Sequence, residues 1–180
     1  MFHFPNLLRS IILLPLLLSL SIYAQIPQRW EIDAKTFRDY SDQVETGDMD
    51  SDGDLDIVVG GGDYYHMMWF ENTGTTFSTK QHVLDIVADR FMLSDINGDG
   101  YLDIVSSHSW YIELTYNLNI SGTGLDFEEH TIYAPLIGAY SFPFTIADLD
   151  ADNDDDILYT TTGAHELIWA ENVYAEGGEF

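Results

Sequence analysis

Short apolar runs alternate with polar turns along most of this chain. "DIVVG" (56–60), "DIVSS" (103–107) and "DILYT" (156–160) are β-branched runs bounded by Gly, Ser and Thr, the composition of short buried strands. "MMWFEN" (67–72) and "LIWAEN" (167–172) are apolar and aromatic, and each leads into a turn. "FSTKQHVLD" (77–85) and "FEEHTIY" (127–133) alternate in part, as a half-buried strand does. "DQVETGD" (42–48) and "FTIADLD" (144–150) supply a further strand that runs into an acidic stretch. Outside the first 24 residues no window sustains a helical period.

These strands recur in register. Three acidic stretches begin at Asp48, Asp95 and Asp148, spaced 47 and 53 residues apart. The ninth position of each is again aspartate: Asp56, Asp103 and Asp156. Thirteen residues later stands an aromatic, Trp69, Tyr116 or Trp169, with Asn72, Asn119 or Asn172 three residues beyond it. Phe77, Phe127 and Phe180 follow after a turn. The repeats run approximately 30–76, 77–126 and 127–180. Four short strands in about 50 residues, repeated, predict β-propeller blades that bury their faces by stacking on one another.

The acidic stretches share the pattern D-x-D-x-D-G-x-x-D. Alternate carboxylates on one short loop repel each other without a counter-ion, and turn chemistry alone needs only one Asp or Asn. A hard divalent cation takes six to eight oxygens, and calcium accepts them in flexible geometry. The candidate ligands in the first loop are Asp48, Asp50, Asp52 and Asp56, with Asp54 through its carbonyl and Gly53 at the tight turn. In the second they are Asp95, Asn97, Asp99 and Asp103, with the Tyr101 carbonyl and Gly100. In the third they are Asp148, Asp150, Asp152 and Asp156, with Asp154 at the seventh position. Asn153 there replaces glycine, and asparagine tolerates left-handed backbone. About three calcium sites are expected; magnesium fits less well because it demands stricter octahedral geometry.

An EF-hand would need glutamate at the twelfth position, where Val59, Ser106 and Tyr159 stand. Dockerin-like loops need an acidic twelfth ligand and a following helix, and thrombospondin-type repeats need cysteine, of which there is none. "DMDSDGDLDIVVGG", "DINGDGYLDIVSS" and "DLDADNDDDILYT", with "WFENTG" and "WAEN" in the next strand, resemble the FG-GAP or VCBS repeats of integrin α-subunit heads and many bacterial surface proteins. The resemblance covers roughly residues 30 to 180. It implies an all-β chain of four-stranded antiparallel propeller blades, with calcium between adjacent strands of each blade. Family rings commonly close with about seven blades. About three blades therefore make an incomplete propeller, a piece of a longer chain or one of several chains in a ring.

Charge narrows the partners. The chain has 180 residues, 6 Lys and Arg against 31 Asp and Glu, and a formal net charge of -25. A nucleic-acid partner is disfavoured, because phosphate binding needs clustered basic residues. At 46% hydrophobic and 14% aromatic the chain carries enough apolar side chain for a folded core. The three loops hold five, three and six acidic residues, fourteen of the 31.

Arg9 precedes the apolar run "SIILLPLLLSLSIYA" (10–24), which resembles a secretory signal cleaved after Ala24. The run is shorter than the roughly 20 residues a spanning helix needs, and Pro15 interrupts it. The expectation is a secreted or cell-surface protein, residues 25–180 after cleavage, with no later membrane span.

Catalytic signals are weak. His66 and His165 lie near equivalent blade positions, and His82 and His130 are repeat-equivalent, which suits blade building better than catalysis. His108 has no counterpart, and "GGGD" (60–63) looks like a hairpin turn. The reading is a calcium-binding module, not an enzyme, that acts in adhesion or binding to a carbohydrate or protein ligand. The aromatics of "DYYHMMWF" (63–70) and "SHSWYIELTY" (107–116) could stack on sugar rings or pack between blades, with Trp69 in the core. The alternative is a non-catalytic part of a secreted polysaccharide-degrading enzyme.

Overall fold

The structure, a computed structural model, describes residues 43–60, 66–108, 113–133, 143–161 and 166–180. The leader-like segment, the start of the first repeat, His165, and the aromatics at 64, 65, 110 and 111 lie outside these residues. Among the described residues there is no α-helix, and no helix is long and apolar enough to cross a membrane.

The fold is all-β. The first sheet is an antiparallel meander of β1 (Gln43–Gly47), β2 (Asp56–Gly60), β3 (His66–Asn72) and β4 (Phe77–Val87). The second repeats it with β5 (Arg90–Ser94), β6 (Asp103–His108), β7 (Glu113–Asn119) and β8 (Phe127–Tyr133). The third holds β9 (Phe144–Ala147), β10 (Asp156–Thr160) and β11 (Leu167–Ala170). These are propeller-like blades, not closed into a ring. The strand β5 was not placed by the sequence pattern. The turn expected between Asn172 and Phe180 is a 3-10 turn at Tyr174–Glu176, closed by Gly177 in the left-handed region. Phe180 then returns to pack edge-on against Tyr116, with ring centroids 5.3 Å apart.

Two apolar layers lie between the sheets. The first joins Val58, Met67, Trp69, Leu84 and Ile86 of the first sheet to Phe91 and Ile104 of the second. The second joins Val105, Leu114 and Tyr116 of the second sheet to Ile157 and Tyr159 of the third. Adjacent residues Ile104 and Val105 serve opposite layers, because side chains alternate across a strand. Each middle sheet face is thus a core, which is why a blade gains its stability from its neighbours.

The repeated aromatic crosses this layer. Trp69 is buried and donates through its indole Nε1 to the carbonyl of Gly124, 2.9 Å away in the β7–β8 turn. A side chain on Gly124 would strike the Met49 carbonyl, 2.7 Å from its Cβ position, so the close approach requires glycine. Tyr116 makes the matching bond onward to the Tyr174 hydroxyl at 2.9 Å. Each ring is backed by the repeat-equivalent histidine on the neighbouring strand. His82 stacks on Trp69 with centroids 4.1 Å apart, and His130 on Tyr116 at 4.8 Å. Both histidines serve as flat packing partners, the blade-building part their recurrence suggested.

Replacing Trp69 with alanine removes a fully buried ring and its cross-sheet bond. Urea unfolding should show a loss of about 3–5 kcal/mol. Leu55→Ala, at an exposed loop position, should stay within about 0.5 kcal/mol of the parent.

Candidate metal loops and the buried aspartate

Each acidic stretch joins the first two strands of its sheet: 48–55 between β1 and β2, 95–102 between β5 and β6, and 148–155 between β9 and β10. The first aspartate organises the curl. Asp48 accepts from the Asp52 and Gly53 amides, both at 3.0 Å. Asp95 accepts from Asp99 and Gly100 at 3.0 and 2.8 Å. Asp148 accepts from Ala151 and Asn153 at 2.6 and 3.2 Å. The fifth residue repeats this on a smaller scale, as Asp52, Asp99 and Asp152 each accept from the amide two residues on.

The backbone turns left-handed twice in every loop. The sixth position does so as expected, at Gly53, Gly100 and Asn153. The fourth position does so as well, at Ser51 (φ 62°), Gly98 (70°) and Ala151 (68°). Serine and alanine carry no propensity for that region, so in the first and third loops no residue type announced this fourth-position turn. The two turns bring alternate side chains to one side.

Carboxylate oxygens of Asp48, Asp50 and Asp52 lie within 4.8 Å of one another, as do those of Asp148, Asp150 and Asp152. These acidic clusters can hold a metal ion. Asp50 Oδ1 is shut off from solvent and has no hydrogen-bond donor. Burial, and next the charge of Asp52, push the Asp50 carboxyl above its ordinary range. The second loop relieves the same crowding differently. The Asn97 amide donates to Asp99 Oδ2 at 3.0 Å, and its oxygen accepts from the Asp99 N–H. The seventh residues, Asp54, Tyr101 and Asp154, follow the second left-handed turn with their N–H groups bonded to the fifth side chain.

The ninth aspartates occupy a different environment. Asp56, Asp103 and Asp156 are fully buried where β2, β6 and β10 begin. One oxygen of each accepts from the loop's second residue: Met49 and Ile96 at 2.9 Å, Leu149 at 3.0 Å. The other accepts from the repeated asparagine's N–H: Asn72 at 2.7 Å, Asn119 and Asn172 at 2.8 Å. One carboxylate thus closes the loop and ties it to the third strand. The residues opposite in register, Gly47, Ser94 and Ala147, are all small.

In the second and third repeats the asparagine extends the joint to the preceding sheet. Asn119 Nδ2 donates to the Met49 carbonyl of the first loop at 3.2 Å, and Asn172 Nδ2 to the Ile96 carbonyl of the second at 2.7 Å. Its Oδ1 accepts from the following turn, at Gly74, Gly124 or Tyr174. Constant spacing marked these asparagines in the sequence, but only the fold gives them this task.

Residues 95–159, from the first aspartate of the second loop to the strand after the third, match the family model described as FG-GAP-like repeat. Comparison with curated proteins and with solved structures gives no match.

Two results follow for the buried aspartate. Asp103→Ala strips two buried N–H groups of their acceptor and should cost roughly 2–5 kcal/mol in denaturant unfolding. Burial also pushes the Asp103 carboxyl up to about 6, against the opposing pull of its Asn119 and Ile96 donors. In chelator, the folded chain then keeps a proton that the unfolded chain releases near pH ~4. This group's contribution is complete below that pH and is lost as pH rises through about 6. Unfolding midpoints of the parent, compared with those of Asp103→Asn between these limits, should fall more steeply with rising pH.

Proposed function

We propose that these FG-GAP-like repeats form a calcium-binding propeller module of a secreted or cell-surface protein, which works by binding a carbohydrate or protein ligand rather than by catalysis. The observation that carries the calcium reading is the first loop. Three carboxylates converge there, and one oxygen is buried without a donor. Leaving such an acceptor unsatisfied is costly, and a cation satisfies it. An oxygen-only donor set of this kind suits calcium.

Asp48, Asp50 and Asp52 would hold the ion in the first loop, and Asp148, Asp150 and Asp152 in the third, with the seventh carbonyls and the ninth aspartates completing each set. The ninth carboxylate can serve in both capacities, because each oxygen accepts one N–H and keeps a second lone pair. Asp95, Asn97 and Asp99 form the second set. There the asparagine amide already answers one carboxylate, so this loop gains least from an ion. The bound ion supplies positive charge that cancels the repulsion within each loop and fixes the path from the first strand to the second.

Secretion is supported by the leader-like first 24 residues. A binding role rather than catalysis is supported by the uptake of two of the recurring histidines, His82 and His130, into aromatic stacks.

Calorimetric titration of the chain should show uptake near three ions, the second loop weakest. At a site affinity near 10⁻⁴ M in millimolar calcium, each filled site raises stability by about 1.4 kcal/mol. Asp50→Ala should remove one ion and leave the third loop filled. A folded chain that takes up no calcium would return these loops to solvated turns.

A further inference from the structure

The second loop differs from the other two at one peptide link. Its third residue is an amide followed by glycine, Asn97–Gly98, where the first and third loops have Asp50–Ser51 and Asp150–Ala151. No other asparagine in the sequence precedes glycine. Asn117, Asn119 and Asn172 are buried and stand before the bulkier Leu118, Ile120 and Val173. Gly98 is exposed, and apart from its chain neighbours no atom lies within 4 Å of the place a Cβ would take there. Water therefore reaches this backbone freely.

The Asn97 side chain folds along the backbone beside that glycine. Its Oδ1 accepts from the Asp99 N–H at 3.0 Å, which makes an Asx turn. Such a turn lays the side-chain Cγ alongside the intervening amide nitrogen, here that of Gly98. The Asp99 N–H draws electrons from the carbonyl and faces the oxygen on which charge develops when Cγ is attacked. Asn97 Nδ2, the group that would leave, donates to Asp99 Oδ2 at 3.0 Å. Both bonds lie within an exposed curl, which opens at low cost. The aspartates in equivalent places, and those before Gly53 and Gly100, offer carboxylates, which are poorer electrophiles than an amide.

We infer that Asn97–Gly98 is a site of spontaneous deamidation, which turns the second loop into the three-carboxylate set of the first and third. The Gly98 nitrogen bonds to Asn97 Cγ, and the Cγ–Nδ2 bond breaks. Nδ2 leaves as ammonia, with the proton of the Gly98 N–H passed to it through water. A second water opens the five-membered imide to aspartate or isoaspartate. The net change consumes one water, releases one ammonia and oxidises nothing. It removes the amide donor that answers Asp99 and adds a negative charge. Asparagine is among the thermolabile residues, and ligand charge count tunes calcium affinity. The loop that gains least from an ion thus comes to gain as much as its neighbours; this consequence, unlike the deamidation, rests on the calcium reading.

The chain, kept in chelator and mildly alkaline buffer and sampled over weeks, is digested and each asparagine followed by mass spectrometry. Asn97 should lose its amide about tenfold faster than Asn153, which is also exposed but precedes Asp154. Gly98→Ser should slow the loss at Asn97 by about tenfold. That variant suits the backbone, because Ser51 holds the same loop position at φ 62° against 70° for Gly98. If it fails to melt like the parent, Gly98→Ala, matching Ala151 at 68°, replaces it. Loss at Asn97 no faster than at Asn153, or unchanged by either folded variant, would overturn the proposal. The aspartate product is the same covalent chain as Asn97→Asp, so calorimetry on that variant reads the consequence. Its second loop should bind calcium about tenfold more tightly than the parent's. First and third loops that fill beside a second loop no tighter than before would overturn the consequence. A folded chain with no loop filled would overturn the calcium reading instead, and the amide loss is read without calcium in either case.

Discussion

A buried carboxylate at the ninth loop position holds each repeat together. Asp103, for example, binds the Ile96 and Asn119 amides at 2.9 and 2.8 Å, so one side chain fixes the loop exit, the start of the second strand and the end of the third. A carboxylate in such a place is expensive to keep charged, and the rise of the Asp103 carboxyl to about 6 expresses that cost. Two charge-assisted bonds to backbone amides offset part of it. The same geometry returns at Asp56 and Asp156, although the loops above them differ in composition. The clamp is therefore set by the fold, and the more variable loop is built upon it.

The sheets are coupled through this clamp. The asparagine whose amide it holds turns its side chain to the preceding loop, so loop closure and blade stacking share one residue. The buried aromatic, three positions earlier, crosses to the following blade. A single strand, β3 or β7, thus carries one bond to its own loop and one to a neighbouring sheet. An ion that steadies the loop would act on the second carbonyl, which is the acceptor at the blade joint. Metal occupancy, where an ion is held, would be linked to blade stacking by that shared backbone segment.

Much of this was legible in the sequence. The strands 56–60, 103–107 and 156–160 and the acidic loops before them stand where pattern and spacing put them. Left-handed backbone at Asn153 followed from residue type, whereas the same turn at Ser51 and Ala151 did not, because neither residue signals it. Asp56, Asp103 and Asp156 read as ligands alone; their double bonding to backbone amides depends on a third strand that no local pattern specifies. Trp69 and Trp169 look alike in the sequence and differ in the fold, one buried and one half open. Burial of a repeated residue depends on whether a neighbour is present, which the residue itself does not encode.

Amide hydrogen exchange, followed residue by residue, addresses the clamp most directly. If the ninth aspartate organises the repeat, the N–H groups of Met49, Ile96, Asn72 and Asn119 exchange only on global unfolding, although Met49 and Ile96 lie in loops. Those of Asp52 and Asp99, bonded within the exposed curl, exchange far faster. Exchange of Met49 and Ile96 as fast as that of Asp52 and Asp99 would contradict the account, because the carboxylate would then hold nothing that the open loop does not.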